Sequence, residues 1–441
     1  MFVGCDFFLH EWDERFHALV AKNLIHHFFI PTLYDNPILP YDYKNWTGNY
    51  IWLHKQPLPL WSMAFCMKLF GVNEIALRLP SMILSTAAIY LTHYIAKYFF
   101  DYKIALLSAF FHSIHGLIIE ITGGRVPTDH IDIFFLFFIE LAICLSIIFV
   151  KKEKILWNVF VGIAIGLAIL CKWLPALIVL PIWLLILYRE KRFSNKTIAI
   201  NLFFIAISCI ASFLPWQIYI FSNFPSEAKW EQLYNFKHFS ETLGENGGAW
   251  YYYLDKIRII YSELVYIPLL GFCYFLFKKK NFSFYIIAIW VFIPLIFFSF
   301  VETKMQGYIL FTSPAIFIIY SWFFWFCYEN KSKSKYKFLV NIFLVLLMLL
   351  PIRYTIERIK PFEKGNRNPD WVKSLQKVKI NNTGQNGVLF GTSKYIEAMF
   401  YTDFTAYEKQ PTEEEINFLK EKGYSIFVCT NDSIQSFEKI K

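Results

Sequence analysis

Ten apolar stretches constrain this chain more than any motif in it. A helix that crosses a bilayer needs roughly 20 predominantly apolar residues. Stretches of about that length recur at about 78–99, 104–121, 130–150, 155–171, 173–188, 198–222, 259–277, 283–301, 306–328 and 337–352. Backbone inside lipid must satisfy its own polar groups, so such spans read as α-helices. Composition agrees, with 56% of the 441 residues hydrophobic and 20% aromatic. The expected fold class is an α-helical polytopic membrane protein of about 10–11 spans.

The gaps between spans carry charge unevenly. Basic runs occupy every second gap: "KYFFDYK" from Lys97, "KKEK" from Lys151, "REKRFSNK" from Arg189, "KKK" from Lys278 and "KSKSKYK" from Lys331. These five hold sixteen Lys and Arg, whereas the short alternate gaps hold one each, Arg125, Lys172 and Lys304. The positive-inside rule places the basic loops in the cytoplasm. The long polar segments, about 6–77 and 223–258 and the tail from Arg353, then lie outside. A multi-pass protein of the plasma or inner membrane is expected, with its chemistry on the extracytoplasmic face. The same clustering makes the net charge of +9 an orientation signal rather than a nucleic-acid footprint. The eight cysteines are scattered, mostly inside apolar segments, and read as small core hydrophobes.

Ten spans with the tail outside also put the N-terminus outside, with nothing to carry it across. "MFVGCDFFL" reads as the last turns of an earlier helix, so a mostly missing first span is expected. Met1–Trp12 lacks the basic start of a cleavable signal. Residues 1–352 form the expected transmembrane domain, and residues 353–441 a small soluble extracytoplasmic one.

Two segments outside the spans have helical or strand signatures. "QPLPLWSMAFCMKLFG" starts on prolines and ends on Gly71, as a short interfacial helix should. In the tail, Asn368 and Pro369 open a helix, "GVLFGT" and "YSIFVCT" read as buried strands, and "FTAYEK" reads as a third. Thr412 and Glu415 form a capping box ahead of "EEEINFLKEKG". The expectation is a small α/β domain. Its use is either to shape an access path and bind an acceptor, or simply structural.

The outer segments hold the candidate chemistry. Asp13 and Glu14 follow directly on the presumed first helix. They are either a solvated helix end or a general base and metal ligand beside a lipid-borne substrate. Lys55 sits in "WLHKQPLP", where prolines fix the backbone. It is either a snorkelling lysine or a phosphate-binding point charge. "GGRVPTDHID" places Arg125, Asp129 and Asp132 at the start of a helix, either for substrate or as helix-dipole and ion-pair residues. Lys304 and Tyr308 lie at another outer boundary, and His238 is a loop histidine. All these groups face one side, which describes an interfacial site for an amphiphile with an anionic head.

The acidic pair, the lysine turn, "LFGVNEIALRLPS", "GGRVPTD", "ILCKWLPALIVLP" and "TKMQGYILFTSPA" occur in this order. That succession resembles the integral-membrane glycosyltransferases of the protein O-mannosyltransferase and aminoarabinose-transferase type, with the large C-type fold. The resemblance covers roughly Trp12 to Pro314. It implies a polyisoprenyl-phosphate sugar donor, an inverting transfer to a lipid, glycan or protein acceptor, and membrane lipids as surroundings. Asp13 then matches the catalytic carboxylate of the first loop, and Asp129 an acidic position of the second. Lys55 matches the donor-phosphate lysine, with Arg125, Lys304 and Tyr308 as further donor-binding residues. His54 stands where a metal-binding glutamate is frequent, so a divalent metal held by His54, Glu14 and His238 is the implied cofactor. The turn departs from the family at Gln56, which replaces the first proline.

Two rival readings are a transporter or flippase of lipid-linked sugars and a binding protein without catalysis. A transporter is expected to show broken helices, paired repeats and polar groups near mid-membrane.

Overall fold

The computed structural model describes residues 5–126, 130–244, 246–362, 367–381, 386–429 and 437–440. Asp129 therefore lies outside the described residues. A short amphipathic helix, α1 (Asp13–Leu24), precedes α2 (Pro57–Phe70) and the long α3 (Glu74–Phe99). Next come α4 (Tyr102–Ser113), α5 (Gly116–Thr122), α6 (Ile131–Lys152), α7 (Ile155–Lys172), α8 (Val179–Glu190) and α9 (Asn195–Asn223). The segment at about 223–258 carries α10 (Pro225–Ser240) and leads into α11 (Tyr252–Tyr261) and α12 (Tyr266–Lys279). Then follow α13 (Phe282–Phe300), α14 (Ser313–Asn330) and α15 (Lys337–Ile359).

Local chemistry sets many of these boundaries. Asn73, Asp101, Ser194 and Asn281 cap α3, α4, α9 and α13 by accepting from the next turn's backbone N–H. Proline opens α2, α10 and α14, and Gly71 ends α2 at φ 85°. The expected short helix at this position is α2, whose Phe65, Leu69 and Phe70 are exposed.

Seven helices among the described residues are long and apolar enough to cross a membrane, or nine if two bent pairs each count as one span. Fewer helices than the expected ten pass that test of length and composition, for identifiable reasons. The stretch at 173–188 is broken: Trp173 has φ 64°, a 3-10 turn follows over Leu174–Ile178, and α8 has only 12 residues. Around Ser262, at φ 132°, the chain bends by 117° between α11 and the helical stretch Glu263–Lys279. The pair α4 and α5 bends by 47°. Glu140 is fully buried in α6. There it accepts a hydrogen bond from Thr92 Oγ1 at 2.6 Å.

Close approach of α7 to α9 depends on two glycines four residues apart. A Cβ at Gly162 would lie 2.0 Å from Ser208 Oγ and 2.3 Å from the Ile205 carbonyl oxygen. A Cβ at Gly166 would lie 2.8 Å from the Cys209 carbonyl oxygen. Small residues at this spacing let backbones meet where lipid offers no hydrophobic drive.

After α15, which continues past residue 352 to Ile359, comes α16 (Asp370–Asn381). The four strands β1 (Gly387–Phe390), β2 (Thr405–Tyr407), β3 (Ser425–Cys429) and β4 (Phe437–Lys439) form one sheet in the order β2-β1-β3-β4. The first three are mutually parallel and β4 pairs antiparallel with β3. Helices α17 (Tyr395–Tyr401) and α18 (Glu413–Glu421) connect them, the latter opened by the Thr412–Glu415 capping box.

The tail is tied to the segment at about 6–77. Lys22 Nζ donates to the carbonyls of Met399, Phe400 and Thr402 at 2.7–3.1 Å, satisfying the C-terminal end of α17. Arg15 pairs with the fully buried Glu397 at 3.4 Å. Tyr395 Oη donates to the Thr47 carbonyl, and Tyr407 Oη accepts from the Ile38 and Leu39 N–H groups.

Candidate active site

Asp13 opens α1 directly after Trp12, whose φ of 66° turns the chain sharply. Its carboxylate lies 3.3 Å from the Lys55 ammonium, and both side chains are about one-fifth exposed. The structure thus brings together two residues 42 positions apart that the sequence reading had linked.

Glu14 points the other way and is fully buried. Arg78 Nε and Nη2 donate to its two oxygens at 2.7 and 3.0 Å, His130 Nε2 lies at 2.9 Å, and the His10 N–H donates at 2.7 Å. Burial alone would raise its pKa. The Arg78 guanidinium and the His130 bond outweigh that and hold it well below the usual carboxylate range. Arg78 also donates to the Asp6 and Phe8 carbonyls. Gly124 packs against it so closely that a Cβ would sit 2.0 Å from Arg78 Nε. The "RLPS" and "GGR" motifs therefore meet, and with α1 they enclose one buried ion-pair network. Its His130 starts the segment leading into α6.

His54 is held by a different partner. Its Nδ1 lies 3.1 Å from Glu231 Oε2, and its ring stacks on Trp46 at 4.5 Å with a 6° tilt. Tyr234 borders the same ring at 5.4 Å. His238, one turn further along α10, donates from Nδ1 to the Tyr234 carbonyl at 3.2 Å. Burial lowers the His238 pKa, and neighbouring His54 and Lys55 lower it further. The three residues expected to hold a divalent metal thus have other partners: Glu14 serves Arg78 and His130, His54 serves Glu231, and His238 serves a carbonyl. Among the described residues no group of three or more His, Cys, Asp or Glu is arranged to hold a metal ion. The donor set does not fit a bound cation.

The remaining expected residues have partners of their own. Lys304 is 4% exposed, and its N–H donates to the Asn246 carbonyl. Thr303 Oγ1 donates to the Glu241 carbonyl and accepts from the Leu243 N–H, which zips the end of α10 to this turn. Tyr308 offers its ring face to the Lys172 ammonium at 4.7 Å, and Lys172 pairs with Asp132. Gly307 makes room for that carboxylate, since a Cβ there would meet Asp132 Oδ2 at 2.0 Å. The guanidinium of Arg125 has a buried Nη1 without a hydrogen-bond partner among the described residues. Lys172, Arg78, Glu231 and Trp46 were not among the expected site residues. "RLPS" and "ILCKWLP" were visible as motifs, but nothing local in sequence names their partners.

Residues 54–216 match the model of the dolichyl-phosphate-mannose-protein mannosyltransferase family. An uncharacterised protein of Aquifex aeolicus is 26% identical over 343 residues, covering 77% of this chain and 63% of its own length. The undecaprenyl phosphate-α-4-amino-4-deoxy-L-arabinose arabinosyl transferase of Pseudomonas savastanoi pv. phaseolicola is 23% identical over 316 residues, covering 68% of this chain and 54% of its own. The chain thus spans less than two thirds of either relative. The crystal structure of ArnT from Cupriavidus metallidurans bound to undecaprenyl phosphate superposes with a TM-score of 0.66 at 14% identity, covering 97% of this chain and 90% of that one. Over residues 54–216 the chain is thus similar to the dolichyl-phosphate-mannose-protein mannosyltransferase family, and along nearly its whole length it shares the fold of the Cupriavidus structure.

Proposed function

We propose that this protein transfers a sugar from a polyisoprenyl-phosphate donor to a hydroxyl of a lipid, glycan or protein acceptor on the outer face of the membrane, with inversion. The observation that carries the reading is the partly exposed Asp13–Lys55 pair, 3.3 Å apart, where the first outer segment meets the spans. The named activity of the Pseudomonas relative and the undecaprenyl phosphate bound to the Cupriavidus protein support it.

In this reaction the acceptor oxygen attacks the anomeric carbon from the face opposite the phosphate. The bond from that carbon to the phosphate oxygen breaks, and its electron pair leaves with the lipid phosphate. Asp13 accepts the acceptor's proton. Lys55 neutralises the departing phosphate as a compact ammonium. Before donor binds, the two charges offset each other. An arriving phosphate draws Lys55 towards itself and frees a carboxylate oxygen of Asp13 for the incoming hydroxyl. Arg125, with an uncommitted N–H, and Lys304 are further donors for the anionic head, and Tyr308 lines the same end. Asp129 is the second acidic residue of the proposal.

The test is transfer of a radiolabelled sugar from purified polyprenyl-phosphate sugars to membrane acceptors. Wild-type protein should transfer label and the Lys55→Ala variant should not. Near-normal transfer by that variant would end the reading.

A further inference from the structure

A cavity of about 380 Å³ opens between the first outer segment and the tail. That volume falls within the range of small-molecule sites, roughly 300–1,000 Å³. Tyr41, Asp42 and Asn45 line one side, and Tyr395, Tyr407 and Glu408 the other. The hydroxyls of Tyr395 and Tyr407 are committed to the backbone of the facing loop, so the two rings are fixed walls. Tyr41 is 44% exposed.

The charges in this cavity select against anions. Asp42 and Glu408 are exposed carboxylates, and Lys409, a further lining residue, is paired with Glu415. A phosphorylated head would meet two carboxylates without a free counter-charge. An uncharged saccharide meets what it needs. Its C–H faces lie on tyrosine rings, and its hydroxyls donate to carboxylate and amide oxygens.

The edge of the cavity is connected to the candidate site through Trp46 and His54. Trp46, between the cavity residues Asn45 and Thr47, stacks on His54, which is followed by Lys55. We propose that this cavity is a subsite for an uncharged carbohydrate portion of the acceptor, held by walls from both the outer segment and the tail. The proposal rests on the transferase reading above, and it gives the docked tail a direct part in acceptor choice.

The experiment is saturation-transfer NMR on the purified full chain in detergent, with chitobiose and maltose as neutral probes and glucose 6-phosphate as an anionic one. Wild-type protein should saturate at least one neutral disaccharide and not glucose 6-phosphate. Tyr41→Ala and Glu408→Ala should each weaken that binding about tenfold or more. Both residues are exposed, so thermal unfolding should be unchanged and serves as the folding control. No saturation of either disaccharide, equal saturation by the variants, or preference for glucose 6-phosphate would overturn the proposal. Binding of a polyprenyl phosphate, measured in parallel, should fall in Lys55→Ala and stay intact in Tyr41→Ala. Failure of the donor arm alone counts against the transferase reading, and failure of the saccharide arm alone counts against this subsite.

Discussion

The Lys55 ammonium stands 3.3 Å from the Asp13 carboxylate, and neither side chain is sealed from solvent. A pair in that setting adds little to stability, about 0–1 kcal/mol. Its value lies in what an incoming phosphate can do to it. Lys55→Ala should therefore leave the unfolding temperature nearly unchanged and lower transfer at least about a hundredfold, since lost charge stabilisation in a transition state costs roughly 3–4 kcal/mol. Lys55→Arg should recover little, because a planar fork does not replace a point charge. Asp13→Asn should inactivate while leaving donor affinity close to normal. Donor binding and transfer rate, measured side by side for the three variants, check this.

Glu14 should behave in the opposite manner to its neighbour. It is fully buried, and Glu14→Ala leaves Arg78 without its counter-charge. Breaking such a pair costs about 3–5 kcal/mol. Thermal unfolding in detergent should show a large loss of stability in Glu14→Ala. A stability change no larger than that of Asp13→Asn would count against the buried network.

The pH dependence follows from the same residue. Its carboxyl titrates lower in the folded than in the unfolded chain, where about 4.5 is ordinary. The stabilisation is complete above that value. As pH falls below about 4.5 the unfolded chain takes up the proton first, so stability declines. Acid unfolding curves should show this decline in wild type and a flatter profile in Glu14→Gln.

Gly162→Leu should push α9 away from α7. The obstructing Ser208 hydroxyl can rotate, but the Ile205 carbonyl cannot. Overpacking of this kind costs about 1–3 kcal/mol. Lowered yield of folded protein and a lower melting temperature are expected, with Ser208→Gly failing to restore either fully.

Lys22 holds the tail by three carbonyls, so Lys22→Met should loosen α17 by about 1–3 kcal/mol. Hydrogen exchange over residues 395–402 should rise. Burial pushes the Lys22 ammonium down to about 8 from 10.5, partly offset by Asp403. Between those values the unfolded chain keeps a proton that the folded one has released. Wild-type stability should therefore gain a contribution as pH rises through that window, and Lys22→Met should not show it.

What could be read from sequence was local in origin. The Thr412–Glu415 box, the proline start and glycine stop of α2, and the strands at 387–390 and 425–429 are each specified by a few adjacent residues. The helix breaks at Trp173 and Ser262 were not legible, because apolar periodicity says nothing about a positive φ. Glu140 was hidden by its apolar neighbours. The site was legible as far as Asp13 and Lys55. Glu14 was not, because its partners lie 64 and 116 positions away, and neither was His54, whose Glu231 is 177 positions away.

The bonds from Lys22 to the end of α17 also order events in time. Lys22 belongs to the first helix, and its acceptors lie at Met399, Phe400 and Thr402. A ribosome has made the spans found among the described residues before it makes them. A nascent chain can thus have its whole bundle inserted while the helix that presents Asp13 still lacks its clamp. The clamp on the helix that presents Asp13 therefore closes only once residues 399–402 have been made, which couples the order of that helix to the tail.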